Sequence, residues 1–312
     1  MTIMKQAHAL LTFATIALVS PPTAHAELRV VTTTTDLADL ARQVGGARVI
    51  VESLCKGNQD PHYVQARPSY MVTLSRADLV IAAGLELEVG WLPALLQGAR
   101  NPDVMLGRPG YLDAGRAITA IDVPRGAIDR SQGDVHALGN PHYWLDPERA
   151  KSVAAAIARK LGELDPSGRA SFDRNLNALQ QRLDAALQRW TAALKPHRGA
   201  KVVSYHRTFD YFFERFGLHA LGYIEDRPGI PPAPAHVAQL IAAMRAGDVR
   251  VIFHESYFDR ATSDVVAKRT GARVLVLPTS VDGVDEAPSY ERLIDVLVTS
   301  FVSAMRAAEP AR

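Results

Sequence analysis

Sulfur chemistry is almost missing from this chain, which has one cysteine, Cys55, in 312 residues. One thiol cannot close an internal disulfide, and a cysteine-rich zinc site is excluded outright. Cys55 ends the apolar run Val49–Leu54, so it is expected to be a small buried hydrophobe. No apolar run reaches the roughly 20 residues needed to span a bilayer as a helix. Charge of one sign is also lacking. Without Lys5, which lies in the leader described below, 34 basic side chains face 33 acidic ones. That balance argues against a nucleic-acid partner, which needs a clustered basic surface. Low-complexity tracts, short-period repeats and local metal signatures such as HExxH are absent as well.

What is present begins with a leader. Residues 1–26 carry one lysine, an apolar stretch from Ala9 to Val19 and small residues ending Ala24-His25-Ala26. This is the pattern of a secretory signal peptide, with cleavage expected after Ala26. No cysteine stands at the cleavage point to take a lipid anchor, so the periplasm is the expected address. The remaining 286 residues suggest two domains at roughly 150 residues each.

Strand and helix signals alternate after the leader. Leu28–Thr33 is short and β-branched, and Leu37, Leu40, Ala41 and Val44 recur at helical spacing until Gly45-Gly46. Strands at Val49–Leu54 and Leu79–Ala83 flank a helix around Pro68–Ser75, and apolar runs at Val104–Leu106 and Ala117–Val123 follow. This alternation predicts an α/β lobe with a mainly parallel sheet over residues 27–145. Residues 146–196 are helical. Phe172, Leu176, Leu179, Leu183, Leu187, Trp190 and Leu194 form a single stripe along a helix of about 30 residues, roughly 45 Å long. We read it as a rigid spine laid across two lobes, with coiled-coil pairing as the alternative. Residues 197–312 return to alternating strands and helices, a second α/β lobe of similar architecture.

Eight histidines remain after the leader, and three share a context. His62 lies in GNQDPHY past the second strand, His142 in GNPHYWLDP at the edge of the first lobe, and His206 just past the strand Lys201–Tyr205. Loops past the carboxyl ends of strands are where open α/β sheets bind ligands. Three neutral imidazoles can hold a tetrahedral ion such as zinc if a fourth ligand closes the site. Proline beside two of them lowers the entropy lost on binding. A lone loop histidine is more often a surface or capping residue, so position alone leaves both readings open. His197, His219 and His236 take that structural reading, and His254, beside Glu255 at a strand end, is the nearest rival ligand.

Nearly the whole mature chain resembles the metal-specific solute-binding proteins of ABC transporters (cluster A-I, zinc-receptor branch). The resemblance rests on VVTTTTDLADLARQVGG, DPHYVQARPSYMVTLSRADLVIAAGLELEVGWLPALL, GNPHYWLDPERA, VVSYHRTFDYFFERFGL and VIFHESYFDRATSDVVAKRTGARVLVLPTSVDG, in order. It implies two α/β lobes joined by one long helix, with the metal in the cleft between them. His62, His142 and His206 fall on the first three ligand positions. Manganese receptors often have glutamate at the third, and a nitrogen-rich set suits Zn²⁺ better than the harder Mn²⁺.

The fourth position is commonly an aspartate in the loop after the last strand. Asp282 is the nearest match, with Asp285 and Glu255 as substitutes, and the loop is shorter than usual. The segment Arg125–Gly139, where many zinc receptors carry a histidine-rich loop, holds only His136. The resemblance further implies a membrane permease as partner and a monomer. With no collecting loop, it also implies a periplasmic metallochaperone. Capture and delivery are expected rather than catalysis, with small lobe movement and affinity falling below about pH 6.5. The rival classes are a periplasmic zinc hydrolase using Glu255 as base and an adhesin-like surface protein.

Overall fold

Two four-stranded parallel sheets with the same strand order carry the chain, one in each lobe. The structure is a computed structural model, and it describes residues 27–126, 132, 133 and 135–308. The expected leader lies outside the described residues.

In the first lobe β1 (Leu28–Thr32), β2 (Val49–Ser53), β3 (Leu79–Ala82) and β4 (Tyr111–Asp113) stand in the order β2-β1-β3-β4. In the second, β5 (Lys201–Ser204), β6 (His219–Tyr223), β7 (Val251–Glu255) and β8 (Arg273–Leu277) stand in the order β6-β5-β7-β8. The direction of strand progression reverses beside β1 and again beside β5. Such switch points leave a crevice at the carboxyl ends of the strands. The short strand β4 forms between the apolar runs at 104–106 and 117–123, not in either of them.

Helix α1 (Thr35–Gly45) starts on Thr34, whose hydroxyl accepts from the Leu37 amide, and stops at Gly46, where φ is +56°. The first lobe adds α2 (Pro68–Ser75) and α3 (Leu92–Ala99). Then α4 (Pro147–Leu164) opens with proline at its first turn, and its N-cap Asp146 accepts from the Glu148 amide.

The long helix α5 (Arg169–Leu194) has 26 residues, about 39 Å, with 3₁₀ turns at Pro166–Gly168 and Lys195–His197 on its ends. The second lobe is completed by α6 (Asp210–Phe216), α7 (Pro234–Ala246), α8 (Ala261–Thr270) and α9 (Tyr290–Ala307).

The apolar stripe of α5 buries Phe172, Leu179, Leu183, Trp190 and Leu194 inside this chain, against α1 and α4 on one side and α9 on the other. Polar bolts fix each side: Asn175 Nδ2 donates to the Val44 carbonyl at 2.9 Å, and Trp190 Nε1 donates to Asp295 Oδ1 at 2.6 Å. One continuous hydrophobic core runs from Val30 and Leu37 through Trp144 and Leu183 to Phe253 and Phe301, so the two lobes share their interior.

Direct bonds between the lobes add to it. Trp144 Nε1 donates to the Thr279 carbonyl at 2.8 Å, and the Tyr290 hydroxyl donates to the Trp144 carbonyl at 2.5 Å. The fully buried Asp146 takes Arg149 at 2.6 Å and two Arg215 nitrogens, Nε and Nη2, at 2.6 and 2.9 Å. A shared core and charge-assisted bonds oppose wide hinge motion. Among the described residues, no helix is long and apolar enough to cross a membrane.

Candidate metal centre

Asp60-Pro61-His62 and Asn140-Pro141-His142 fold into the same local device. In each, the side-chain oxygen of the first residue accepts two hydrogen bonds from the histidine two positions on. Asp60 Oδ1 takes the His62 amide at 3.0 Å and its Nδ1 at 2.7 Å. Asn140 Oδ1 takes the His142 amide at 3.0 Å and its Nδ1 at 2.8 Å. The intervening proline fixes φ and removes a competing amide, which favours this side-chain turn.

Further bonds seat both turns. Trp91 Nε1 donates to the Pro61 carbonyl at 3.0 Å, and Asn140 Nδ2 donates across to the Arg207 carbonyl of the second lobe at 2.9 Å. His206 follows β5 directly, and its Nδ1 meets Glu225 Oε2 at 2.7 Å. Glu225 is itself held by the Gly229 amide at 3.0 Å.

All three Nδ1 atoms therefore act as donors, which fixes the tautomer and leaves each Nε2 as an acceptor. The three rings converge: their centroids are 5.1 Å (His62 to His142), 5.5 Å (His142 to His206) and 5.6 Å (His62 to His206) apart. The donor atoms of this trio all lie within 4.8 Å of one another. His142 Nε2 is fully buried with no hydrogen-bond partner. A buried polar atom in that state costs about 1–3 kcal/mol unless something binds it.

Burial, with the neighbouring imidazoles adding, holds His142 well below the ordinary histidine range. Burial also lowers His206, against the opposing pull of Glu225. Burial alone would raise Asp60, but the bonds from His62 outweigh it and hold its carboxyl below the usual range. The arrangement is thus two rings with carboxylates behind them and a third with an amide behind it. His142 and His206 face a cleft of about 490 Å³, lined also by His136, Asn140, Arg207 and Pro228.

Asp282 does not join them. The loop after β8 is pinned low: Val281 gives its carbonyl to Thr35 Oγ1 at 2.6 Å and its amide to Asp36 Oδ1 at 3.0 Å. Gly57 packs so close to the Val281 carbonyl that a side chain there has no room. Asp282 then turns at φ +58°, with its amide on the Ala287 carbonyl at 2.8 Å, and its side chain is exposed. Asp285 is exposed too.

Glu255, at the end of β7, is fully buried, and burial, only partly offset by a hydrogen bond with Thr208, pushes its carboxyl up to about 8. His254 has both ring nitrogens engaged, with Ser263 Oγ at 2.9 Å and the Phe258 carbonyl at 3.2 Å. His236 Nε2 meets the Tyr223 carbonyl at 2.8 Å, and His197 packs on Phe301. Cys55 is buried, as its place in an apolar run predicts.

His136 also comes close to the trio, its Nε2 3.2 Å from that of His62. Its one signal was being the sole histidine of the Arg125–Gly139 segment.

Two parallel-sheet lobes tied by a single unbroken helix, with imidazoles pooled between them, define a two-lobed binding-protein fold. The chain belongs to the family described as zinc-uptake complex component A, periplasmic, whose profile matches residues 30–304. It is 28% identical over 305 residues to the high-affinity zinc uptake system protein ZnuA of Yersinia pestis, covering 94% of this chain and 96% of that one. It is 27% identical over 252 residues to the metal ABC transporter substrate-binding lipoprotein FimA of Streptococcus parasanguinis, covering 79% and 78%. Among solved structures, a zinc-bound ZnuA deletion mutant aligns with TM-score 0.75 at 25% identity, over 91% of this chain and all of that one.

Proposed function

We propose that the protein captures Zn²⁺ in the periplasm and delivers it to the membrane permease of an ABC transporter. The observation that carries this reading is the buried, unpartnered Nε2 of His142, set among converging rings whose Nδ1 atoms are all committed elsewhere. A trio of imidazoles favours Zn²⁺ over Mn²⁺ by ligand softness. Relatives named for zinc uptake and for metal ABC transport support the same direction.

Binding, not hydrolysis, fits the surroundings. Burial pushes the Glu255 carboxyl up to about 8, which disfavours the carboxylate form a general base needs. We further propose that the chain is exported by a leader cleaved after Ala26 and works as a monomer whose apolar α5 stripe is used internally. A segment with one histidine in place of a rich loop supports loading by a separate periplasmic carrier protein.

Cellular uptake tests the reading. Removing the chain should abolish zinc accumulation from zinc-limited medium, wild type should restore it, and His142→Ala should not. Full restoration by His142→Ala would contradict the proposed site.

A further inference from the structure

We propose that His136 is the fourth zinc ligand, making the site one of four imidazoles, and that Glu86 is the positioning residue that holds it there. This rests on the zinc reading above and replaces the carboxylate expected at Asp282.

Distance is the first support. A tetrahedral zinc with bonds of about 2.0–2.1 Å spaces its nitrogens roughly 3.3–3.4 Å apart. His62 Nε2 and His136 Nε2 are 3.2 Å apart, and their rings are tilted by 32° with centroids at 5.2 Å. His62 Nδ1 is committed to Asp60, so its Nε2 carries a lone pair aimed at His136. Without metal, a single proton shared at this contact satisfies the pair, whichever ring carries it. With metal, that proton leaves the contact and both Nε2 lone pairs meet the ion. His136 also lines the cleft that His142 and His206 face.

Charge is the second support. Asp60 and Glu225 stand directly behind His62 and His206. Two carboxylates balance the double charge of the ion through the rings, so no inner carboxylate is required for neutrality. The exposed, outward-turned Asp282 is then expendable.

The third support is the way His136 is held. The Ala137 amide donates to Glu86 Oε2 at 2.6 Å. Glu86 sits in a turn where two successive non-glycine residues, Leu85 and Glu86, have φ of +52° and +67°. Such conformations cost of order 1–3 kcal/mol each and persist only when the surroundings over-determine them. Here the buried Glu88 does so, accepting from Thr33 Oγ1 at 2.5 Å, the Ala83 amide at 2.7 Å and the Gly84 amide at 3.1 Å. The strained turn aims a carboxylate at the residue after His136. On the opposite lobe, Gly133 lies against the Pro228 carbonyl at φ +80°, where any side chain would collide. The His136 segment is therefore seated on both sides of the cleft.

Cobalt-loaded and zinc-loaded full chain tests this. Wild type should show the strong visible bands of four-coordinate Co²⁺ and four imidazoles per zinc by X-ray absorption. His136→Ala should lose one imidazole, weaken the cobalt bands and lower zinc affinity at least about tenfold, with the metal-free melting curve unchanged. Glu86→Ala should shift the same spectrum in the same direction, Glu86→Gln should restore it, and Asp282→Ala should leave it as in wild type. A wild-type spectrum and affinity in His136→Ala, or their loss in Asp282→Ala, would overturn the assignment while leaving the receptor intact. Failure of wild type itself to bind zinc or cobalt would instead overturn the receptor reading.

Discussion

His206 Nδ1 lies 2.7 Å from Glu225 Oε2, and both side chains are buried. The bond sets the tautomer of the ring and raises the basicity of the Nε2 that faces His62 and His142. Removing an outer partner of this kind typically costs 10- to 100-fold in metal affinity. Glu225→Ala should therefore weaken zinc binding by about that factor. Glu225→Gln, which keeps an oxygen acceptor, should weaken it less. Competition with a chelating dye measures both.

The pH response follows from burial. His142 is held well below, and His206 below, the ordinary histidine value of about 6.5. Their protonated forms are disfavoured in the fold, so protons displace zinc only at lower pH than a free imidazole would allow. Half-loss of binding should come below about pH 6, lower than the sequence alone suggests. The metal-free protein should lose stability in the same direction. As pH falls below about 6.5 the unfolded chain takes up protons that the fold refuses. A binding midpoint at or above pH 6.5 would contradict both statements.

Glu255 gives a dependence of opposite sign. Burial raises its carboxyl to about 8, so between the ordinary value of about 4.3 and 8 the fold holds a proton that the unfolded chain releases. Wild-type stability is therefore drawn down by this group as pH rises through that window. Glu255→Gln removes the titration and should gain stability relative to wild type as pH rises from 5 to 8, levelling above it. Urea unfolding of metal-free protein at several pH values checks the slope.

Arg215 ties α6 of the second lobe to the buried Asp146 at the start of α4 through two bonds, at 2.6 and 2.9 Å. Arg149 remains on the same carboxylate when Arg215 is removed. Arg215→Ala should therefore cost about 2 kcal/mol, the loss of charge-assisted bonds rather than of a whole buried pair. The denaturation midpoint should move with little change in slope.

Much of this architecture is legible in the residues because it is written in period and punctuation. The stripe from Phe172 to Leu194 became one buried helix face, and the β-branched runs around Val30, Val202 and Ile252 became buried strands. The Asx-Pro-His repeat was visible as proline beside two histidines, although its shared hydrogen-bond pattern was not. Asp282 was out of reach for a physical reason. The direction of its side chain is set by the bonds of Val281 to Thr35 and Asp36, more than 240 positions away in sequence. The place of His136 likewise depends on the strained turn at Leu85–Glu86, about 50 positions away in sequence.

The most direct measurement is competitive metal titration of purified residues 27–312, wild type beside His142→Ala. A zinc receptor built on His62, His142 and His206 will bind one equivalent of Zn²⁺ tightly and resist displacement by about 100-fold excess Mn²⁺. It will lose affinity sharply in His142→Ala while keeping its fold. Ready displacement by manganese, or equal zinc affinity in His142→Ala, would contradict it.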